Sequence, residues 1–523
     1  MASLRLPVLK PKEQQFAAAD VRTVPQHGLV RLAIIVASVL ALLVDGTASA
    51  IVNAGLPYVQ GITTATPDQA SWIITCFNAP YYATILVSPW LYAFLGRKPL
   101  LLIGLIGFAF VSILLSLTSS YSLLLVLRFF QGLFLGAVYV PAAILLFTSL
   151  PLAALTLAIP GFALVSLGAA TMGSIIGGYL SENFSGYLIY LPGAATTLIS
   201  AALVYFMAPN LDKPQPHLKH DVLGYFLSLL SFGAMWYLAN EGERRNWFDD
   251  PSIYVAVVVL LIAFPLLLAW ELYITRYPHI NFRLFQRFRN LAVGGSINFF
   301  LGMAGYSVSL FILYLQTIIA ATETLAGAMI LLRLAAYVVG IAIAFLLVSR
   351  KILGLRTVII IAAIGTSISF FIYAQTMTST AEAASFIAIS LVFGFFFSML
   401  SQPVPSLVIG GLPLEQLPAG LSIYKVTSPI GLIVATAVFQ TLYDHRTAIH
   451  AADLAGFVNR KSLEISSFLE GGGSQHGLSA LVLQEAQNFA LRDSMMVLGV
   501  LILVVIPLIF LANIAPRPPA QNK

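Results

Sequence analysis

Long apolar blocks separated by short polar stretches run through nearly the whole chain. From Leu100 to Leu127 there is no charged residue, and from Leu325 to Ser349 the only one is Arg333. A membrane-spanning helix needs about 20 mainly apolar residues, and many blocks reach that length. Their apolar positions cover every face. Barrel strands would instead alternate apolar and polar at every second residue. The pattern predicts an all-α polytopic membrane protein with spans at 30–51, 70–93, 99–118, 122–149, 154–180, 187–208, 221–240, 252–273, 291–316, 324–348, 356–376, 384–411, 418–442 and 494–514. These are fourteen transmembrane helices.

Composition agrees. Of 523 residues, 59% are hydrophobic and 9% charged, against roughly 25% charged in a soluble domain. The net charge of +6 is not a nucleic-acid signature, because the basic residues cluster in short loops. With the N-terminus inside, the cytoplasmic loops carry Arg97, Lys98, Lys213, Lys219, Arg276, Arg283, Arg287, Arg289, Arg350, Lys351 and Arg356. The outer loops carry mostly acids: Asp68, Glu182, Glu241, Glu243, Asp249, Asp250, Glu323 and Glu382, against Arg244 and Arg245. Basic loops mark the cytoplasmic side. The expectation is therefore an inner-membrane protein with both termini cytoplasmic and residues 1–29 as a cytoplasmic tail. Residues 443–492 are expected as one long outer loop of short amphipathic pieces joined through Gly471, Gly472 and Gly473.

The single cysteine, Cys76, excludes an internal disulfide framework and offers no metal spacing. No nucleotide-binding loop and no His-Glu-x-x-His metalloprotease motif is present. No metal, cofactor or catalytic residue is expected, and the chain is not read as an enzyme. Charges within spans are costly and functional by default. Four stand out: Asp45 in the first helix, Arg128 in the fourth, Arg333 in the tenth and Lys425 in the thirteenth. Asp45 is the one carboxylate deep in a span, since Asp221 and Glu271 sit at helix ends. A carboxylate in low dielectric can change protonation with its neighbours, which suits proton coupling. Lys425, near the start of its helix, could instead snorkel to the inner face.

Several motifs in order resemble the major facilitator superfamily, in its fourteen-span drug:proton antiporter branch. They are Asp45-Gly46-Thr47 with Ile51-Val52-Asn53 and Leu56-Pro57; Trp72; Gly96-Arg97-Lys98; Arg128-Phe129-Phe130-Gln131-Gly132; Gly173-Ser174-Ile175-Ile176-Gly177-Gly178; Asp221-Val222-Leu223-Gly224; and Tyr314-Leu315-Gln316. The loop after the second helix departs from the family pattern, with Pro89 for its leading glycine and Ala93 for its acid. Ser174 replaces the proline of the fifth helix.

The resemblance implies two six-helix bundles, 30–210 and 289–515, with a two-helix insertion at 221–275. It implies a secondary transporter exporting small organic solutes against protons. Asp45 and Arg128 are then the proton-coupling residues. Asp45, Asn53, Gln131, Gln316, Arg333 and Lys425 are candidates to line a substrate cavity. Gly96, Arg97, Lys98, Gly173, Gly177 and Gly178 are candidates for gating. The expected partners are a small-molecule substrate, protons, the lipid bilayer and a periplasmic adaptor protein. Arg333 and Lys425 also motivate a second reading, a carrier for an anionic metabolite or carboxylate siderophore, because two bases and one acid would leave the cavity positive. A membrane enzyme or non-transporting receptor is a third.

Overall fold

The computed structural model describes residues 28–150, 152–184, 186–210, 221–275, 278–321, 323–458 and 474–513. The N-terminal tail, Lys213, Lys219, Arg276 and the triple glycine lie outside the described residues. Every described element is helical. The long helices are α1 Gly28–Ala54, α2 Pro67–Leu95, α3 Arg97–Leu115, α4 Tyr121–Ser149, α5 Leu152–Asn183, α6 Gly186–Met207, α7 Val222–Glu241, α8 Pro251–Ile274, α9 Arg289–Thr317, α10 Glu323–Ser349, α11 Leu355–Thr376, α12 Ala383–Ile409, α13 Leu417–Phe457 and α14 Gln475–Phe510. Twelve described helices are long and apolar enough to cross a bilayer. The other two, α2 and α5, have 29 and 32 residues, also ample for a hydrocarbon layer about 30 Å thick at 1.5 Å per residue.

Packing partners repeat between the two ends of the chain. Helix α1 packs on α5, α2 on α4, and α3 on α4 and α6; correspondingly α9 packs on α13, α10 on α12, and α11 on α12 and α14. Two seams join the halves, α5 against α10 and α2 against α13. Helix α7 packs on both α2 and α13, and α8 packs on α7.

Small residues set the closest approaches. A Cβ on Gly177 of α5 would lie 2.3 Å from the Ile51 carbonyl oxygen of α1, and one on Gly431 of α13 would lie 2.0 Å from the Phe299 carbonyl oxygen of α9. Only glycine lets these backbones touch. Gly96, between α2 and α3, has φ 86°, a conformation other residues adopt at a steric cost. Helices α4 and α12 break at matching places. The first breaks between Gly136 and Tyr139, just before Pro141; the second breaks at Gln402, just before Pro403 and Pro405. Proline lacks the N–H that would continue the ladder.

The 443–492 region differs from the expected loop. Helix α13 runs unbroken for 41 residues to Phe457, and α14 starts at Gln475. The hydropathy window ends where Asp444, His445 and Arg446 begin, but helix formation does not require apolarity. The stretch to Phe457 is rich in good helix formers and has no proline. The two extensions are tied by His450 and Arg446 to Asp493, at 3.0 and 3.5 Å.

Candidate functional site

A cavity of about 270 Å³ lies between the two halves. From the first half come Asp45, Gly46 and Ser49 of α1, Tyr81 and Tyr82 of α2, Tyr139 of α4 and Phe162 of α5; the second half adds Asn298 of α9, Ser401 and Pro405 of α12, and Tyr424, Lys425 and Ser428 of α13. The breaks in α4 and α12 both fall at its wall, beside Tyr139 and between Ser401 and Pro405.

Asp45 and Lys425 meet in this cavity. Lys425 Nζ lies 2.7 Å from Asp45 Oδ2. The hydroxyl of Tyr81 donates to the other oxygen, Oδ1, at 2.6 Å. The ammonium also lies 4.7 Å from the ring centre of Tyr139. The carboxylate is thus fixed from two sides by one charged and one neutral donor, the arrangement a buried charge needs. The pair bridges the two halves, since α1 belongs to one and α13 to the other. Lys425 does not reach the inner face; a carboxylate within hydrogen-bond range holds it in the cavity.

Asp45 and Lys425 are the charged residues of the cavity wall. Arg333, expected there, is fully buried elsewhere. Its Nη2 donates to the Tyr373 hydroxyl at 2.9 Å, which pairs with the Ser390 hydroxyl at 2.7 Å. The rings of Phe311, Phe393 and Tyr373 lie 4.9, 5.0 and 5.4 Å from the guanidinium carbon. The side chain thus points away from the opposite half, into a box formed by α9, α11 and α12. Ring faces supply the stabilisation that a carboxylate would. Asn53 and Gln316 sit exposed near the ends of α1 and α9, away from the cavity wall.

Arg128 and Gln131 form a separate buried knot. Arg128 Nε donates to the Ile73 carbonyl at 3.2 Å, and Nη1 donates to Gln131 Oε1 at 2.6 Å. Gln131 in turn donates to Ser112 at 2.8 Å, and the guanidinium lies 4.1 Å from the Phe77 ring centre. These contacts join α2, α3 and α4 within one half.

The loop basics also act within one half. Arg97 donates to Thr148 at the end of α4 at 2.8 Å. Lys98 caps the end of α6 through the carbonyls of Tyr205 and Ala208, at 2.8 and 2.7 Å; a cation there opposes the helix dipole. Gly173 and Gly177 face α1, whereas a Cβ on Gly178 would meet nothing within 4 Å.

The end of α7 and the segment that follows it touch both halves. Trp72 of α2 packs 5.1 Å from Tyr237. Glu243 accepts hydrogen bonds from Trp247 and from Thr441 of α13. Arg244 and Arg245 both bind the buried Glu241, and Arg245 reaches Asp250 at 2.7 Å. Bonds from Ser252 and Arg245 hold the Asp250 carboxyl down at about 2, so it stays charged at any physiological pH.

A cavity between two halves of matching packing, with an ion pair across it, fits the layout of a secondary transporter. Residues 38–287 match the sequence model described as Major Facilitator Superfamily. Through that region the chain carries a major facilitator superfamily domain, and along nearly its whole length it is homologous to exporters of that superfamily. Among curated members, the multidrug export protein EmrB of Escherichia coli (strain K12) is 25% identical over 478 residues, which is 89% of this chain and 91% of that protein. The fatty acid resistance protein FarB of Neisseria gonorrhoeae is 24% identical over 497 residues, 92% of this chain and 95% of that protein. Two solved structures share the fold. The proton:xylose symporter XylE has a TM-score of 0.54 at 12% identity, covering 89% of this chain and 95% of its own. The human organic anion transporter MFSD10 has a TM-score of 0.54 at 13% identity, covering 91% and 100%. By this homology the chain is a multi-pass membrane transporter of small molecules, not an enzyme.

Reading the sequence alone missed the four cavity tyrosines, Tyr81, Tyr82, Tyr139 and Tyr424. Their signal was present: Tyr81-Tyr82 is a polar-tipped doublet inside an apolar block, next to Pro80.

Proposed function

We propose that this protein is a proton-coupled exporter of small organic solutes, working by alternating access. The two bundles, 30–210 and 289–515, rock about the cavity while the two-helix insertion rides beside the α2–α13 seam. The observation that carries this reading is the Asp45–Lys425 pair. It places a carboxylate, the natural competitor for protons and solute charge, on the boundary that must open and close. Similarity to EmrB and FarB over about nine-tenths of the chain supports export as the direction.

The anionic reading loses its motive. It needed two bases facing the cavity, and Arg333 is absent from the wall, so Asp45 and Lys425 sum to zero formal charge. The protein is read as an inner-membrane protein with both termini cytoplasmic. A periplasmic adaptor remains the expected outer partner, for which the extensions of α13 and α14 supply surface. Proteoliposomes with an imposed pH gradient, presented with a panel of organic cations and anions, test the function. At least one solute should accumulate against its gradient, and Asp45→Asn should abolish that accumulation while the protein still melts cooperatively. Gradient-driven accumulation that persists in Asp45→Asn would remove Asp45 from the coupling site.

A further inference from the structure

An exporter that trades solute for protons needs a site where the two exclude each other. Reciprocity requires that if a solute drives protons off, protons drive the solute off by the same factor. The cavity wall offers few groups for this. Its titratable side chains are Asp45 on α1, Tyr81 and Tyr82 on α2, Tyr139 on α4, and Tyr424 and Lys425 on α13; the neighbouring wall residues of α9 and α12, Asn298 and Ser401, do not titrate. Tyrosine hydroxyls ordinarily ionise near 10. The exchange therefore falls to Asp45 or Lys425.

We propose that Lys425, not Asp45, carries the exchanged proton, and that a cationic group of the solute takes the place of the lysine ammonium on an Asp45 that stays ionised. This rests on the exporter reading above and names its solute class and its proton carrier.

Geometry favours this assignment. Both oxygens of Asp45 are already engaged, one by Tyr81 and one by Lys425, and its side chain is only 2% exposed. Protonating it would turn one acceptor oxygen into a donor facing the donor that oxygen already binds. The Lys425 side chain is 23% exposed and holds the ammonium at the open side of the pair. A cation arriving at Asp45 would leave that ammonium beside a like charge in a confined space. Lysine can relieve this by losing a proton, which arginine cannot do. The ring of Tyr139 now faces the ammonium. With Tyr81, Tyr82, Tyr424 and Phe162 it makes an aromatic wall suited to a lipophilic cation.

The exchange balances. A monovalent cation enters from the cytoplasmic side; the N–H bond of the Lys425 ammonium breaks and its proton passes to water on that side. From the outer side a proton adds to the neutral amine, the ammonium returns to Asp45 and the cation leaves. The site carries zero net charge in both loaded states, so transport of a monovalent cation is electroneutral.

Tetraphenylphosphonium is the probe, because it carries a permanent charge and no proton of its own. Calorimetry of the detergent-solubilised full chain, in buffers of different ionisation enthalpy, counts the protons released on binding. Wild type should release one proton per cation. Lys425→Met should bind at least about tenfold tighter, having lost its internal competitor, with no proton release and no dependence on pH between 6 and 8.5. Lys425→Arg keeps the ion pair, and so guards against misfolding as an explanation. It should bind weakly, release nothing and show no accumulation driven by a pH gradient. Continued release of one proton by Lys425→Met would overturn the proposal and return the proton to Asp45, leaving the exporter reading intact. Failure of wild type to bind the cation, with pH-driven transport of an anion, would overturn the solute class alone. Absence of pH-driven transport of every solute would instead sink the exporter reading itself.

Discussion

The contact between α5 and α1 can be tested with two neighbouring glycines that differ in one respect. A methyl added at Gly177 would sit 2.3 Å from the Ile51 carbonyl oxygen and 2.9 Å from Ile51 Cα. Ordinary contact begins near 3.4 Å, so the helices must part by 3.4 minus 2.3, or about 1.1 Å, a scale at which overpacking costs about 1–3 kcal/mol. Backbone is what it meets, and backbone cannot rotate away. At Gly178 the added methyl meets nothing within 4 Å, and alanine is favoured over glycine inside a helix by roughly 0.5–1 kcal/mol. Gly177→Ala should therefore lower the melting temperature in detergent, while Gly178→Ala should leave it equal or raise it. Ile51 lies six residues beyond Asp45 on the same helix, so Gly177→Ala should also impair transport. Both are measured by fluorescence-detected thermal unfolding alongside flux in proteoliposomes. Equal melting temperatures for the two variants would refute the close approach of α1 and α5.

Two further outcomes follow from the buried arginine and from the loop charges. Arg333→Met should lower thermal stability, since a desolvated cation over aromatic rings is worth about 2 kcal/mol, but should leave solute affinity at the cavity unchanged. Unaltered stability with lost affinity would return Arg333 to the solute path. In a Cys76→Ala background, an impermeant thiol reagent applied outside should label Ser474→Cys and spare Lys351→Cys; the reverse pattern would invert the topology.

The blocks of apolar residues and the sign of loop charges made the helices legible, because bilayer crossing is imposed locally on each segment. What a side chain faces is not local. Asp45 and Lys425 lie 380 positions apart, and nothing in either neighbourhood names the other. Arg333 looked like Lys425 as a charge in an apolar helix. Its direction was decided by Tyr373, Phe311 and Phe393 on other helices. The full length of α13 was hidden for another reason: hydropathy reports where lipid ends, not where hydrogen bonding ends. Asn53 and Gln316 came in with motif strings that hold at helix ends, where position on the helix, not identity, determines exposure.

The short segment between α7 and α8 has a bearing on timing. Together with the end of α7 it is anchored toward α2 by the tilted ring contact of Tyr237 with Trp72 and toward α13 by Glu243 and Trp247 on Thr441. A strap fastened to both leaves of a door must come unfastened on one side whenever the door swings on that face. Strengthening either fastening should slow the turnover of every solute alike, and weakening it should let that face idle open. The insertion would then act as a governor on the cycle, indifferent to what is carried.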